Sequence, residues 1–236
     1  YIPASIFNEQ QLRQVLMHYK NDFTSDFETC IIPSKNWNAQ WESDFMPVII
    51  ADQCYIRATF HEPMDYPYEI IITPKMSFGT GHHATTELMV RELLAMDGEG
   101  KTLMDVGCGT GVLSILAEKK GFKHILGFDN DTWALTNSIE NGKINECRQV
   151  TFKKAEIAEL DKQTYNVILA NINRNVIIED IHHYAERLAP HGELLLSGFY
   201  KQDVPGILDQ AQTLGLELIK ENDLKNWIML KFQKVS

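Results

Sequence analysis

The sequence predicts a doubly wound α/β protein, and three observations carry that expectation. From Lys101 onward, strand-like and helix-like stretches alternate, the pattern of a parallel sheet with helices on both faces. A glycine-rich turn over 107–111 joins the first of these strands to the first helix. Two further strands end in Asp129 and Asn171, at the edge where open sheets bind ligands.

The elements follow in order. Leu12, Val15, Leu16 and Tyr19 recur at helical spacing, so Asn8 to about Lys20 is read as a helix, followed by a strand-like stretch over 27–32. Trp37 and Trp41 come next, a pair that suits a core or hinge plug better than a ligand box. Residues 46–73 alternate and are broken by Pro63 and Pro67, which predicts short strands. Strands are then expected over 103–106, 124–128, 150–153, 165–170 and 193–197, with helices over 112–120, 132–141, 175–188 and 204–214. Pro190 closes one helix and Gly215 another. Segments 216–220 and 227–232 have no helix between them, which predicts a hairpin that adds an antiparallel edge to a mostly parallel, seven-stranded sheet. Three regions result: 1–35 as a partial α+β recognition domain, 36–73 as linker and short strands, and 74–236 as the catalytic domain.

Composition narrows the function. A net charge of −10 argues against direct contact with nucleic acid, whose phosphates demand a basic face. Residues 1–70 hold ten acidic and four basic side chains, a balance that suits a basic partner or simply a solvated surface. No apolar run is long enough to span a bilayer. The four cysteines are far apart, as expected of reduced thiols in a cytoplasmic protein. The doublets His82-His83 and His182-His183 point their side chains different ways on any regular element, so no metal is expected.

The glycine loop runs Asp105-Val106-Gly107-Cys108-Gly109-Thr110-Gly111. A dinucleotide fingerprint would need glycine at Val112; the G-x-G-x-G found here suits a nucleoside with an amino-acid tail instead. Asp129 is placed to accept hydrogen bonds from both ribose hydroxyls, with Asp131 the better candidate for the helix cap. Asn171, in Asn171-Ile172-Asn173, offers a carboxamide oxygen that can accept a hydrogen bond from an incoming amine and aim its lone pair; a turn asparagine is the alternative.

Phe78-Gly79-Thr80-Gly81-His82-His83-Ala84-Thr85-Thr86 resembles the F-G-T-G-x-H-x-T-T signature of the bacterial ribosomal protein L11 methyltransferases, the PrmA family. The glycine loop, Asp129 and Asn171 follow at that family's intervals. The resemblance covers residues 36–236 well and 1–35 weakly. It implies a class I, Rossmann-like methyltransferase that moves methyl groups from S-adenosylmethionine, leaving S-adenosylhomocysteine, to lysine ε-amines and the N-terminal α-amine of the basic large-subunit protein L11. Phe78, Gly79, Thr80, Thr86, Asp105, Gly107, Gly109, Asp129 and Asn171 are then the expected cofactor positions, with Asn171 and His83 catalytic. His83 is the best candidate for a base, and a purely structural histidine is an equal alternative. Ala84 stands where the family has proline, and Asn173-Arg174 is more polar than the usual continuation. The family's small recognition domain is expected to be incomplete here, since the pattern begins part-way through it. Three rivals remain: a nicotinamide-dependent oxidoreductase, disfavoured by Val112; a class I methyltransferase of another amine or amide, of which those acting on a nucleobase or a glutamine amide usually show Asn-Pro-Pro-aromatic where this chain has Asn171-Ile172-Asn173-Arg174; and a binding module that has kept only the fold.

Overall fold

The computed structural model describes residues 2, 6–19, 28–30, 45–75 and 78–235. They fall into two compact units, Tyr1–Phe45 and Met46–Ser236. In the first unit, helix α1 (Glu9–His18) starts at Asn8, whose side chain accepts the Gln11 N–H, and carries a Glu9–Arg13 pair one turn apart. This agrees with the spacing of its apolar residues. Residues 28–30 lie in no strand; the rest of the strand expected over 27–32, and both Trp37 and Trp41, lie outside the described residues.

The second unit opens with a three-stranded sheet of β1 (Val48–Ile50), β2 (Cys54–Ala58) and β3 (Tyr68–Ile72), in that order. β1 and β2 form a hairpin with Ala51 and Asp52 both at positive φ and the Gln53 N–H returning to the Ile50 carbonyl, the turn that matches strand twist. β3 runs parallel to β2. Helix α2 (Ala84–Ala95) follows. The sequence pattern does not announce it, and the reason is physical. Nine of the twelve residues of α2 are buried, Glu92 included, and only a narrow strip carrying the Glu87–Arg91 pair and Ala95 faces out, so the polar face that marks a 3.6-residue period is thin. Its N-cap is His83 rather than the usual serine, threonine or aspartate.

The larger sheet contains β4 (Thr102–Val106), β5 (Lys123–Asp129), β6 (Val150–Lys154), β7 (Tyr165–Asn171), β8 (Leu188–Tyr200), β9 (Leu216–Leu224) and β10 (Trp227–Lys234), flanked by α3 (Val112–Lys119), α4 (Thr132–Ile144), α5 (Arg174–Arg187) and α6 (Val204–Thr213). Its order is β6-β5-β4-β7-β8-β10-β9. The five strands from β6 to β8 are parallel, and β10 is antiparallel to both its neighbours. This is the doubly wound, mostly parallel fold that the pattern predicts. Two details differ. The antiparallel strand is β10, set inside the sheet, while the edge is β9. Pro190 does not close α5, which stops at Arg187; it lies at the start of β8, where the register to β7 slips between Tyr165↔Leu188 and Val167↔Glu193, an irregularity that tolerates proline.

The central strands are buried on both faces; Leu103, Met104, Ile168, Leu169, Leu194 and Leu195 are all 0% exposed. The buried Glu92 of α2 meets Lys220 of β9 and Lys231 of β10, and Lys231 also reaches Glu193 of β8, so a carboxylate under the sheet is matched by cations. Strand order reverses between β4 and β7, which opens a crevice at their carboxyl ends, the place where such sheets bind ligands. Among the described residues, no helix is long and apolar enough to cross a membrane.

Asp105, in β4 just below the glycine loop, is 2% exposed and accepts the Ser114 N–H (3.1 Å) and Oγ–H (2.6 Å) from the first turn of α3. Burial pushes its carboxyl up to about 7, with the Asp129 charge adding and the two Ser114 bonds opposing. The folded value lies above the unfolded one, so the protonated form favours the native state. That stabilising contribution is full below about pH 4 and is lost as pH rises to about 7, at about 1.4 kcal/mol per unit of displacement. Asp105→Asn, neutral throughout, should therefore gain stability relative to the parent protein between pH 4 and 7 in urea titrations. A pH-independent difference between the two proteins would show that the carboxyl is ionised throughout that range.

Candidate functional site

The crevice is a cleft of about 860 Å³, within the range of small-molecule sites. Three strand ends build it. After β4, the loop turns through Gly107 (φ 63°), Gly109 (φ 54°) and Gly111 (φ 79°) into the N-terminus of α3. A Cβ on Gly109 would stand 2.4 Å from the Phe78 carbonyl oxygen, so only glycine allows the signature segment to lie on the loop. After β5, the Asp129 carboxylate accepts the Gly109 N–H (3.0 Å) on Oδ2 and the Asp131 N–H (3.0 Å) on Oδ1. Asp131 caps α4 through the Trp133 N–H. An ionised carboxylate offers about four acceptor positions, and Asp129 lines the cleft with the remaining ones.

After β7, the two asparagines divide their roles. Asn173 caps α5, accepting the Asn175 and Val176 N–H groups. Asn171 lines the cleft, and its Oδ1 is buried with no hydrogen-bond partner in the protein. An unpaired buried acceptor costs about 1–3 kcal/mol, so this oxygen keeps unused acceptor capacity in a residue that lines the cleft. The peptide just beyond it is held by the Ile172 N–H to the Ser197 carbonyl, and Gly198 packs so closely that a Cβ would fall 2.0 Å from the Ile172 oxygen.

The signature segment supplies the remaining wall. The Phe78 ring lies 5.2 Å from that of His83, which lies 4.6 Å from Trp227, which in turn lies 4.1 Å from Tyr200. Phe78, His83 and Trp227 face the cleft with Gly107, Gly109, Asp129 and Asn171. Gly79, Thr80, Thr86 and Asp105 do not line it. Gly79 gives its carbonyl to the Thr110 hydroxyl, and Thr80 Oγ1 lies 3.0 Å from His82 Nδ1. Thr86 is buried with Oγ1 unpartnered, and it is Thr85 that reaches the cleft. The Cys108 thiol is buried and held well above its ordinary pKa by burial and by the Asp105 and Asp129 charges, so it is not a nucleophile.

Several lining residues carry no local sequence signal. Trp227 starts β10 and pairs with Tyr200 at the end of β8; because β10 runs antiparallel, its first residue arrives at the carboxyl edge, where the site is. Glu156, Glu179, Asp180, His182 and His183 form the far wall. There burial raises the Asp180 carboxyl and lowers the His183 imidazole, whose pKa the His182 and Arg187 charges depress further. The histidine doublet does bring its rings within 3.9 Å.

Comparison with known proteins settles the family. The family model described as "Ribosomal protein L11 methyltransferase (PrmA)" matches residues 3–235. The chain belongs to the PrmA family. A family protein from Phocaeicola vulgatus, named ribosomal protein L11 methyltransferase, is 39% identical over 98% of this chain and 84% of its own length. The fold is that of the solved ribosomal protein L11 methylase of Lactobacillus delbrueckii subsp. bulgaricus, with a TM-score of 0.75 at 23% identity, covering 81% of this chain and 100% of that one. A magnesium protoporphyrin IX methyltransferase from Synechocystis, solved with bound SAM, shares it at a TM-score of 0.53 and 20% identity over 69% of this chain and 86% of that one.

Within the family signature, the hydrogen bonds of His83 define its chemistry. Its Nδ1 receives the Thr85 N–H (3.3 Å) and lies 2.8 Å from Thr85 Oγ1. A nitrogen that accepts a backbone N–H carries the lone pair, which places the proton on Nε2. The accessible nitrogen is then a donor, and the basic one is engaged in capping α2. His83→Asn keeps a capping oxygen and should lower turnover by no more than about tenfold, leaving the pH–rate profile unshifted. A loss of more than a hundredfold together with the disappearance of an inflection from the pH–rate profile would mark His83 as a base after all.

Proposed function

We propose that this chain transfers methyl groups from S-adenosylmethionine to lysine ε-amines and to the N-terminal α-amine of large-subunit ribosomal protein L11, in the cytoplasm, releasing S-adenosylhomocysteine. The observation that carries the reading is the unpartnered Asn171 Oδ1 beside the glycine loop and Asp129, within a PrmA-family chain. The residues fit the cofactor. Asp129 has acceptor capacity left for a ribose, and the Gly107–Gly109 backbone lies open to the cleft at the start of α3. Asn171, Phe78 and His83 surround the part of the cleft suited to the methionine end. Gly79, Thr80, Thr86 and Asp105 support these positions from behind rather than by contact. We assign methyl transfer to residues 74–236, with 36–73 as linker and short strands and 1–35 as the part that recognises the substrate. The acidic balance over 1–70 complements a basic ribosomal protein.

S-adenosylmethionine supplies a sulfonium-bound methyl group open to in-line attack. The chain must deliver a neutral amine, although free lysine has a pKa of about 10.4. The apolar faces of Phe78, Ile172 and Trp227 strip water from the entering amine, which lowers that pKa. Asn171 Oδ1 accepts one amine N–H and leaves the nitrogen lone pair aimed along the cleft. The proton departs to solvent as the amine enters, since the accessible nitrogen of His83 already carries one. Catalysis thus rests on positioning and desolvation. The acidic wall of Glu156, Glu179 and Asp180 favours a cationic substrate segment nearby.

Incubation with a labelled methyl donor and undermethylated ribosomal proteins, followed by mass spectrometry, tests the assignment; label outside L11 alone would overturn it. Two variants resolve the roles. Asp129→Ala should weaken S-adenosylmethionine binding by about 1.5–3 kcal/mol, roughly ten- to a hundredfold, whereas unchanged affinity in calorimetry removes it from the donor site. Asn171→Ala should reduce turnover much more than donor affinity; equal factors would make it a donor contact only.

A further inference from the structure

Thr110 is 0% exposed and does not line the cleft, yet three hydrogen bonds meet on it. Its N–H donates to the Phe78 carbonyl (3.0 Å), its hydroxyl donates to the Gly79 carbonyl (2.7 Å), and its own carbonyl accepts the Asn141 Nδ2–H (2.9 Å). Asn141 in turn accepts the Thr73 N–H (2.8 Å) at the end of β3. The same face of α4 repeats this chemistry one turn away in each direction. Asn137 donates to the Thr73 carbonyl (3.1 Å), and Asn145 engages both the N–H (2.9 Å) and the carbonyl (2.6 Å) of Ile71. Asparagines at i, i+4 and i+8 share one helix face, and here they satisfy the backbone edge of β3 as a partner strand would.

The structure assigns to Thr110 the role of a positioning residue that sets the distance between the glycine loop and the aromatic wall carrying Phe78 and His83. Both contacts lie on the backbone of Phe78 and Gly79, next to the ring that faces the cleft. The loop that holds the donor and the wall that confines the acceptor are thereby one unit, with Asn141 holding the unit from behind. The fit is tight: a Cβ on Gly79, at φ +104°, would stand 2.7 Å from the Thr110 hydroxyl oxygen. The role rests on the methyl-transfer reading above, because only a two-substrate reaction requires that spacing.

Thr110→Val exchanges the hydroxyl for a methyl group and leaves the amide bond to Phe78 in place. S-adenosylmethionine affinity by calorimetry should stay within about twofold. Turnover on L11 at saturating substrates should fall about tenfold, the scale of a misplaced reacting pair, and amide exchange over residues 78–83 should quicken. Thr110→Ser, which keeps the donor, should restore both. Should the valine variant fail to fold, Thr110→Ala removes the same hydroxyl without a clash and must show the same split. Equal losses of donor affinity and turnover, or unchanged exchange, would overturn the role. The exchange measurement needs no activity, so the two failures are distinguishable. A parent protein that leaves L11 unmethylated defeats the proposed function and the role with it, whereas a parent that methylates L11 while the valine variant shows unchanged exchange defeats the role of Thr110 alone.

Discussion

The site depends on one carboxylate. Asp129 ends β5 and uses two of its acceptor positions to hold the Gly109 and Asp131 amides. Those bonds fix the glycine loop against the neighbouring strand and start α4 in the direction that brings its asparagines to β3. With the loop fixed, the Phe78 carbonyl can rest on Gly109 and Thr110, and α2 then starts at His83 beside the cleft. A charge-assisted bond to a backbone amide is about twice as strong as a neutral one, so a single side chain aligns three chain segments before any ligand arrives.

The second constraint is electrostatic. Burial is what chiefly raises the Asp105 carboxyl, and the Asp129 charge adds to it. The two bonds from Ser114 oppose the shift without cancelling it, so a proton is retained up to about neutrality. One carboxyl is thus kept neutral as a structural bolt, and the other lines the cleft. Two acids in one loop region with separated environments are a way of dividing labour.

Much of the architecture was legible in the amino acids because its signals are local. Alternating strands and helices, Gly215 after α6 and Asp131 before α4 all report on a few neighbouring residues. The candidate site was legible where a strand end carries a polar residue, as at Asp129 and Asn171. What was hidden depends on distant partners. Helix α2 is buried over most of its surface and shows only a narrow polar strip at Glu87 and Arg91. Trp227 reaches the cleft only because β10 is antiparallel, and the acidic and imidazole wall comes from the face that α5 turns to the loop after β6. Thr86 and Thr85 are adjacent in sequence, and only helix geometry decides which of them reaches the cleft.

The order of strands at the end of the sheet has a consequence for how the protein is made. β9 precedes β10 in the chain but lies outside it, touching the sheet only through β10. While β9 is being synthesised it has no partner, and β8 presents a bare edge. The edge closes when β10 pairs with β8, and the same pairing brings Trp227 to the cleft. Until the hairpin docks, the aromatic wall therefore lacks Trp227, which couples completion of the sheet to completion of the site.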